Sequence, residues 1–274
     1  MAVAPRFTAH NSEYLSSRNT GLGNVLFQLA STYGIARKIG KQISYHNLIN
    51  FGNKLYNIYG LNHKDTIFRN FKYIVTGVNW SGICEKHNRE YDPTLEIVCK
   101  NNEYTEINGY LECYEYFNDV LSEFVELLRP DMASLTYIRT NYPFLFDPSI
   151  NTVAIHIRLC EHKSIYNVTF YKKAINYIKE RIESPVFLIF TDDPVYDFTD
   201  LGISDYKIMT TPYDYMDLWT MSFCKHFICS YSTFCIWACI LNTNEDSIIL
   251  GCVEEAYSQL YNIKTIRPPR SILI

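Results

Sequence analysis

The second half of the chain alternates strand-like and helix-like runs with little between them. Strand-like segments fall at 152–159 (TVAIHIRL), 186–193 (VFLIFTDD), 206–210 (YKIMT), 226–230 (HFICS) and 247–251 (SIILG). Between them lie NVTFYKKAINYIKERI, MDLWTMSFCK and TFCIWACILN, whose apolar residues recur at helical spacing. Strands that alternate with helices specify a parallel, doubly wound α/β sheet. In such sheets ligands bind beyond the carboxyl ends of the strands. Those ends are where the polar residues sit: Arg158 and Glu161, then Asp192 and Asp193, then Ser230 to Thr233. Along the first strand Val153, Ile155, Ile157 and Leu159 point to one face, and Ala154, His156 and Arg158 to the other. An arginine there needs an anionic partner, because burying an unpaired charge is costly.

The first half is less regular. EYLSSR (13–18) reads as a strand, NTGLGN as a turn, and VLFQLASTYGIARKIG as a helix stopped by Gly40. QISYH (42–46) and YTEINGYLE (104–112) read as strands, and YFNDVLSEFVELLRP (116–130) as an amphipathic helix. Two prolines in NYPFLFDPSIN (141–151) mark a boundary, giving domains 1–145 and 146–274.

Composition excludes several classes. A net charge of −4 lacks the basic surface that phosphate backbones require, so nucleic acid is not a partner. MAVAPRFTAH has no apolar run that would serve as a signal peptide or membrane anchor, so the chain reads as soluble and cytoplasmic. The nine cysteines lie mostly in apolar runs, the habit of buried thiols in a reducing compartment. Cys224, Cys229, Cys235 and Cys239, with His226 among them, lack CxxC spacing and read as buried thiols rather than a zinc cluster. GLGNVL (21–26) departs from GxGxxG at Leu26, and the following strand ends in Tyr45-His46-Asn47 with no acidic residue. That excludes a nicotinamide site. No GxSxG, HExxH or P-loop occurs.

Two short segments carry binding chemistry. SYSTF (230–234) joins strand to helix, and a helix start offers free N–H groups and a positive dipole end for phosphate. Ser and Thr are also ordinary N-caps, which is the plainer reading. TDD (191–193) offers two adjacent carboxylates that diverge, and capping of a helix beside Pro194 is favoured over a metal site.

These pieces fall in an order that resembles the alpha-1,2-fucosyltransferase family. TGLGNVLFQLASTYGIARKIG is similar to that family's GGLGNQxFQxAxxxxLA opening, and INGYLECYEYFNDV to its GYxQSxxYF segment. HIRLCE sits where the family has HxRRxD, and VFLIFTDDP matches FxIFSDD. DLWTMSFCKHFICSYSTFCIWACILN is similar to DxxLMSxCxHxIxxNSTFSWWxAxLN, the most specific block.

The resemblance implies a GT-B-like fold, two Rossmann-type domains facing a cleft. It also implies an inverting transfer from GDP-fucose to a glycan hydroxyl, with no metal and no other cofactor. By position, Arg158 would meet the donor pyrophosphate, and His156 and Asp217 would lie near the guanosine. Ser232, Thr233 and the Phe234 backbone would hold the phosphates, and Gly21, Gly23 and Asn24 would line the cleft. Glu161 and His162 follow the phosphate strand and are candidate bases. The chain departs from the family at Leu159, Glu161, Tyr231 and Cys235-Ile236-Trp237, all near the sugar. Another donor, such as UDP-xylose or a GDP-linked rhamnose or mannose, therefore stays open. So does a protein that only binds a glycan or a nucleotide sugar.

Overall fold

The structure is a computed structural model. It describes residues 1–6, 21–46, 48, 63–84, 90–159, 166–229, 232–253, 266 and 270–274. The chain divides into two units, one built on Met1–Asp131, the other on Met132–Leu260 and Arg267–Ile274.

Among the described residues the first unit carries a four-stranded parallel sheet. Its strands are β1 (Ala2–Arg6), β2 (Gln42–Ile43), β3 (Ser81–Cys84) and β4 (Tyr104–Asn108), in the order β2-β1-β4-β3. Sequence reading missed β1, because a proline within a run argues against a strand. Val3 sends its carbonyl to Ser44 N, so its side of the backbone faces β2, and alternation puts the nitrogen of Pro5 on that side too. β2 pairs only with Ala2 and Val3. Pro5 therefore lies past the end of that ladder, where an N–H is not required. The strand read over 13–18 lies outside the described residues, and β3 was also missed.

Helix α1 (Leu22–Lys38) is buried on nearly every side, so its apolar residues do not form a single stripe. It begins three residues earlier than the sequence suggests. It packs so closely that a Cβ added at Gly34 would sit 1.9 Å from the Tyr116 carbonyl oxygen. Ser31 Oγ donates to Leu111 O at 2.7 Å and Gln28 Nε2 to Gly109 O at 2.8 Å, tying the helix to the same segment. Glycine-to-alanine changes inside helices usually stabilise. Here Gly34→Ala should instead cost about 1–3 kcal/mol, because backbone cannot move aside as a flexible side chain would. A lower urea midpoint at unchanged slope is the expected result. The unit also holds α2 (Thr94–Asn101) and α3 (Leu121–Leu127). The helix expected over 116–130 is broken into short 3-10 turns before α3.

Among its described residues the second unit carries six parallel strands: β5 (Thr152–Ile157), β6 (Val186–Thr191), β7 (Tyr206–Met209), β8 (His226–Cys229), β9 (Ile249–Gly251) and β10 (Ile272–Leu273). Their order is β10-β9-β8-β5-β6-β7. Every residue of β5 is buried, as expected for a strand covered on both faces. Val153, Ile155, Ile157 and Leu159 pack with Phe170, Tyr171, Ala174, Ile175 and Ile178 of helix α5 (Val168–Lys179). Asn167 caps that helix, accepting from Phe170 N at 3.0 Å. On the other face, the His156 ring lies 5.8 Å from that of Phe234 in helix α7 (Thr233–Leu241). Helix α6 (Asp214–Ser222) precedes β8.

The units divide before the proline-rich stretch at 141–151. Helix α4 (Met132–Asn141), which sequence reading missed, belongs to the second unit. Pro143–Phe146 forms a 3-10 turn with Leu145 buried, and Tyr142 donates its hydroxyl to Thr210 O at 2.7 Å. The prolines thus shape a packed segment rather than a linker.

Candidate active site

Chain order explains where a ligand fits. From β5 the chain moves outward through β6 and β7, then returns to place β8 on the opposite side of β5. The strand order reverses between β5 and β8, and open α/β sheets bind ligands at that point. Arg158 follows β5, and Ser232 with Thr233 follows β8. The fold thus brings together the two segments that sequence reading singled out for phosphate.

Arg158 leaves the strand with 37% of its side chain exposed and Nε 3.8 Å from Asp192 Oδ2. Asp192, at the end of β6, also accepts from Leu159 N at 2.7 Å. TDD was expected to cap a helix beside Pro194, but no helix starts there. Asp192 instead closes the end of β5, whose carboxyl-terminal N–H has no ladder partner beyond Ile157. The carboxylate fixes the turn that carries Arg158 and bears on its guanidinium. The sequence signal was TDD at a strand end, and strand neighbours were needed to read it.

His156 is buried, and its carbonyl accepts from the Tyr171 hydroxyl at 2.9 Å. Burial holds its pKa down at about 4, with the nearby Arg158 charge acting in the same direction. The ring is therefore neutral at pH 7, so it can accept or donate a hydrogen bond without adding charge.

Ser232 is the N-cap of α7, its Oγ accepting from Phe234 N at 3.3 Å. Capping, the plainer reading, is thus realised in the structure. Ser232→Ala should lower stability by about 1 kcal/mol. A denaturant melt checks this, and nucleoside diphosphate affinity measured on the same variant reports any phosphate role separately.

Asp217 lies in the first turn of α6 and accepts from Thr211 N at 3.1 Å. Burial raises its pKa to about 7, against the Thr211 hydrogen bonds, which lower it. The preceding Tyr213 ring stacks on Tyr215, centroids 5.5 Å apart.

Gly21, Gly23 and Asn24 belong to the first unit. Gly21 is the N-cap of α1 with open space at its missing Cβ, and Gly23 and Asn24 lie in the first helical turn. Asn24 donates its backbone N–H to Gly21 O at 3.0 Å, so glycine rather than Asn24 starts the helix. Glu161 and His162 lie outside the described residues. Of the four cysteines weighed as a cluster, Cys229, Cys235 and Cys239 come together.

Two doubly wound parallel units, with basic and hydroxyl side chains at the switch point of the second, define a GT-B-like glycosyltransferase fold. The chain belongs to glycosyl transferase family 11, whose model matches residues 88–262. It is 27% identical over 165 residues to the Escherichia coli O-antigen biosynthesis glycosyltransferase WbnK, covering 53% of this chain and 54% of that one. The chain thus spans about half the length of that relative. It is 25% identical over 269 residues to an Escherichia coli alpha-1,2-colitosyltransferase, covering 84% and 88%. Among solved structures it is similar in fold to a variant of Arabidopsis thaliana FUT1 in complex with GDP. That likeness has a TM-score of 0.52 at 11% identity, over 97% of this chain and 74% of that one. No helix among the described residues is long and apolar enough to cross a membrane.

Proposed function

We propose that this chain is an inverting, metal-independent glycosyltransferase that moves fucose from GDP-fucose onto a glycan hydroxyl. The observation that carries the reading is the switch point between β5 and β8, which gathers Arg158 with the Ser232-Thr233 helix start. In a single displacement the acceptor oxygen attacks the anomeric carbon while the bond to the diphosphate breaks. Negative charge builds on the leaving phosphate. Fixed donors aimed at that charge stabilise the transition state. Arg158 is suited to bidentate phosphate contacts, and its Asp192-braced turn orders it in advance. Neutral His156 on β5 and Asp217 on α6 serve as the guanosine contacts in this reading. A base that takes the acceptor proton contributes about 10²–10⁴ in rate, and Glu161 and His162 are its candidates.

Two observations favour a second donor sugar. Tyr231 replaces a family residue that the resemblance sets near the sugar, whereas Leu159 packs in the core against α5, and one relative that the chain matches over most of its length is named a colitosyltransferase. The test is a panel of nucleotide sugars, including GDP-fucose, GDP-linked rhamnose and mannose, and UDP-xylose, offered with glycan acceptors in the presence of a chelator. Release of GDP from GDP-fucose with a β-to-α change at the anomeric carbon supports the proposal. Release of UDP alone would replace the donor, and binding without release from any donor would leave a binding protein.

A further inference from the structure

We propose that Cys229, Cys235 and Cys239 form a thiolate site for one soft d10 cation, Cu+ or Zn2+, beside the turn from β8 to α7. All three sulfurs lie within 4.8 Å of one another, and Cys229 Sγ is 3.2 Å from Cys239 Sγ. A trigonal centre with metal–sulfur bonds of about 2.3 Å holds its sulfurs about 4 Å apart. The cluster therefore accepts a cation with small rotations of side chains. Two different elements build it. Cys229 ends β8, while Cys235 and Cys239 stand four residues apart on one face of α7. All three are buried, and none is in a disulfide.

The donor set selects the cation. Thiolate ligands favour Cu+ and Zn2+ over the hard cations that take oxygen. Burial, with hydrogen bonds to Cys229 and Cys239, raises the Cys235 thiol well above its usual range. Binding then breaks three S–H bonds heterolytically. Each sulfur lone pair forms a metal–sulfur bond, three protons pass to solvent, and no electron moves. Cys235 lies in the first turn of α7, where free N–H groups and the helix dipole favour the thiolate charge that results. Sequence spacing hid the site, because one ligand comes from a strand and two from a helix, with no CxxC pair. The site adjoins the proposed donor residues His156 and Ser232 to Phe234, but it supplies no step of the proposed transfer.

The experiment uses the full reduced chain under anaerobic conditions. Cu+ is titrated against a colorimetric competitor, Zn2+ against a chelating indicator, and Cd2+ serves as an absorbance probe. The proposal expects one equivalent of Cu+ or Zn2+, a sulfur-to-cadmium charge-transfer band, and three protons released per cation in weak buffer. Cys235→Ser should weaken binding by more than the roughly 10–100-fold that loss of an outer partner costs. Cys224→Ala, at a buried cysteine outside the cluster, should bind as the native chain does. Uptake of neither ion, or uptake unchanged in Cys235→Ser, overturns the site. Should Cys235→Ser fail to fold, the native proton count and charge-transfer band decide alone: their absence overturns the proposal.

Discussion

Arg158→Ala should cut turnover about 10²–10³-fold while the protein melts near its normal temperature. The size follows from the role. Removing one preorganised donor to a developing anion removes roughly 2.7–4 kcal/mol of transition-state stabilisation, which is that rate factor. The fold should survive because more than a third of the side chain is exposed and its contact with Asp192 is a loose 3.8 Å. Exposed pairs of this kind stabilise by about 0–1 kcal/mol. Steady-state release of nucleoside diphosphate gives the rate, and a thermal scan gives the fold. Arg158→Lys should recover little, since a point charge replaces a planar fork. Turnover within a few-fold of native in the alanine variant would remove Arg158 from the leaving-group role. Asp192→Ala offers a second comparison. It deletes the carboxylate that accepts from Leu159 N and faces Arg158, so turnover should fall by less than in Arg158→Ala, with donor affinity falling alongside.

The second unit was legible in the sequence because its strands are buried on both faces. Each therefore reads as a continuous apolar run between polar ends, as HFIC does for β8. Arg158 and the Ser232-Thr233 helix start were legible for the same reason: they are the polar residues that end such runs. What chain order did not disclose is pairing. Asp192 serves Leu159 and Arg158 across two strands, and three cysteines converge from a strand and a helix. The first unit was harder to read, for physical reasons. β1 contains Pro5, tolerated only because β2 stops short of it. α1 is buried nearly all round, so no polar face marks its start, and a glycine caps it without a side-chain hydrogen bond.

The proposed function sets Asp217 against the donor's base, and the burial of Asp217 makes that contact depend on pH. A carboxylate accepts from both N1–H and the N2 amine of guanine, whereas uracil offers only N3–H. Hydrogen bonds to a charged group are worth roughly 1.5–3 kcal/mol, so Asp217→Asn should weaken GDP about 10–150-fold and leave UDP nearly unchanged. Burial raises the carboxyl from its ordinary 3.8 to about 7. Below that pH the group is largely protonated, and the two-acceptor arrangement is lost. GDP affinity in the native protein should therefore rise as pH increases through about 7, and in Asp217→Asn it should stay flat. Stability runs the other way. A carboxyl whose folded pKa lies above its unfolded one binds more protons when folded. The stability it contributes is complete below about pH 4 and is lost as pH rises through about 7. Asp217→Asn should remove that slope, gaining stability over native at pH 8 and little at pH 4. If the residue only favours the dipole of α6, worth about 0.3–1 kcal/mol, the substitution changes GDP and UDP binding equally at every pH. Calorimetric titration of both nucleotides into both proteins at pH 6 and pH 8 separates the cases. Tight UDP with negligible GDP would overturn the fucose donor and leave a transferase that uses a UDP-linked sugar.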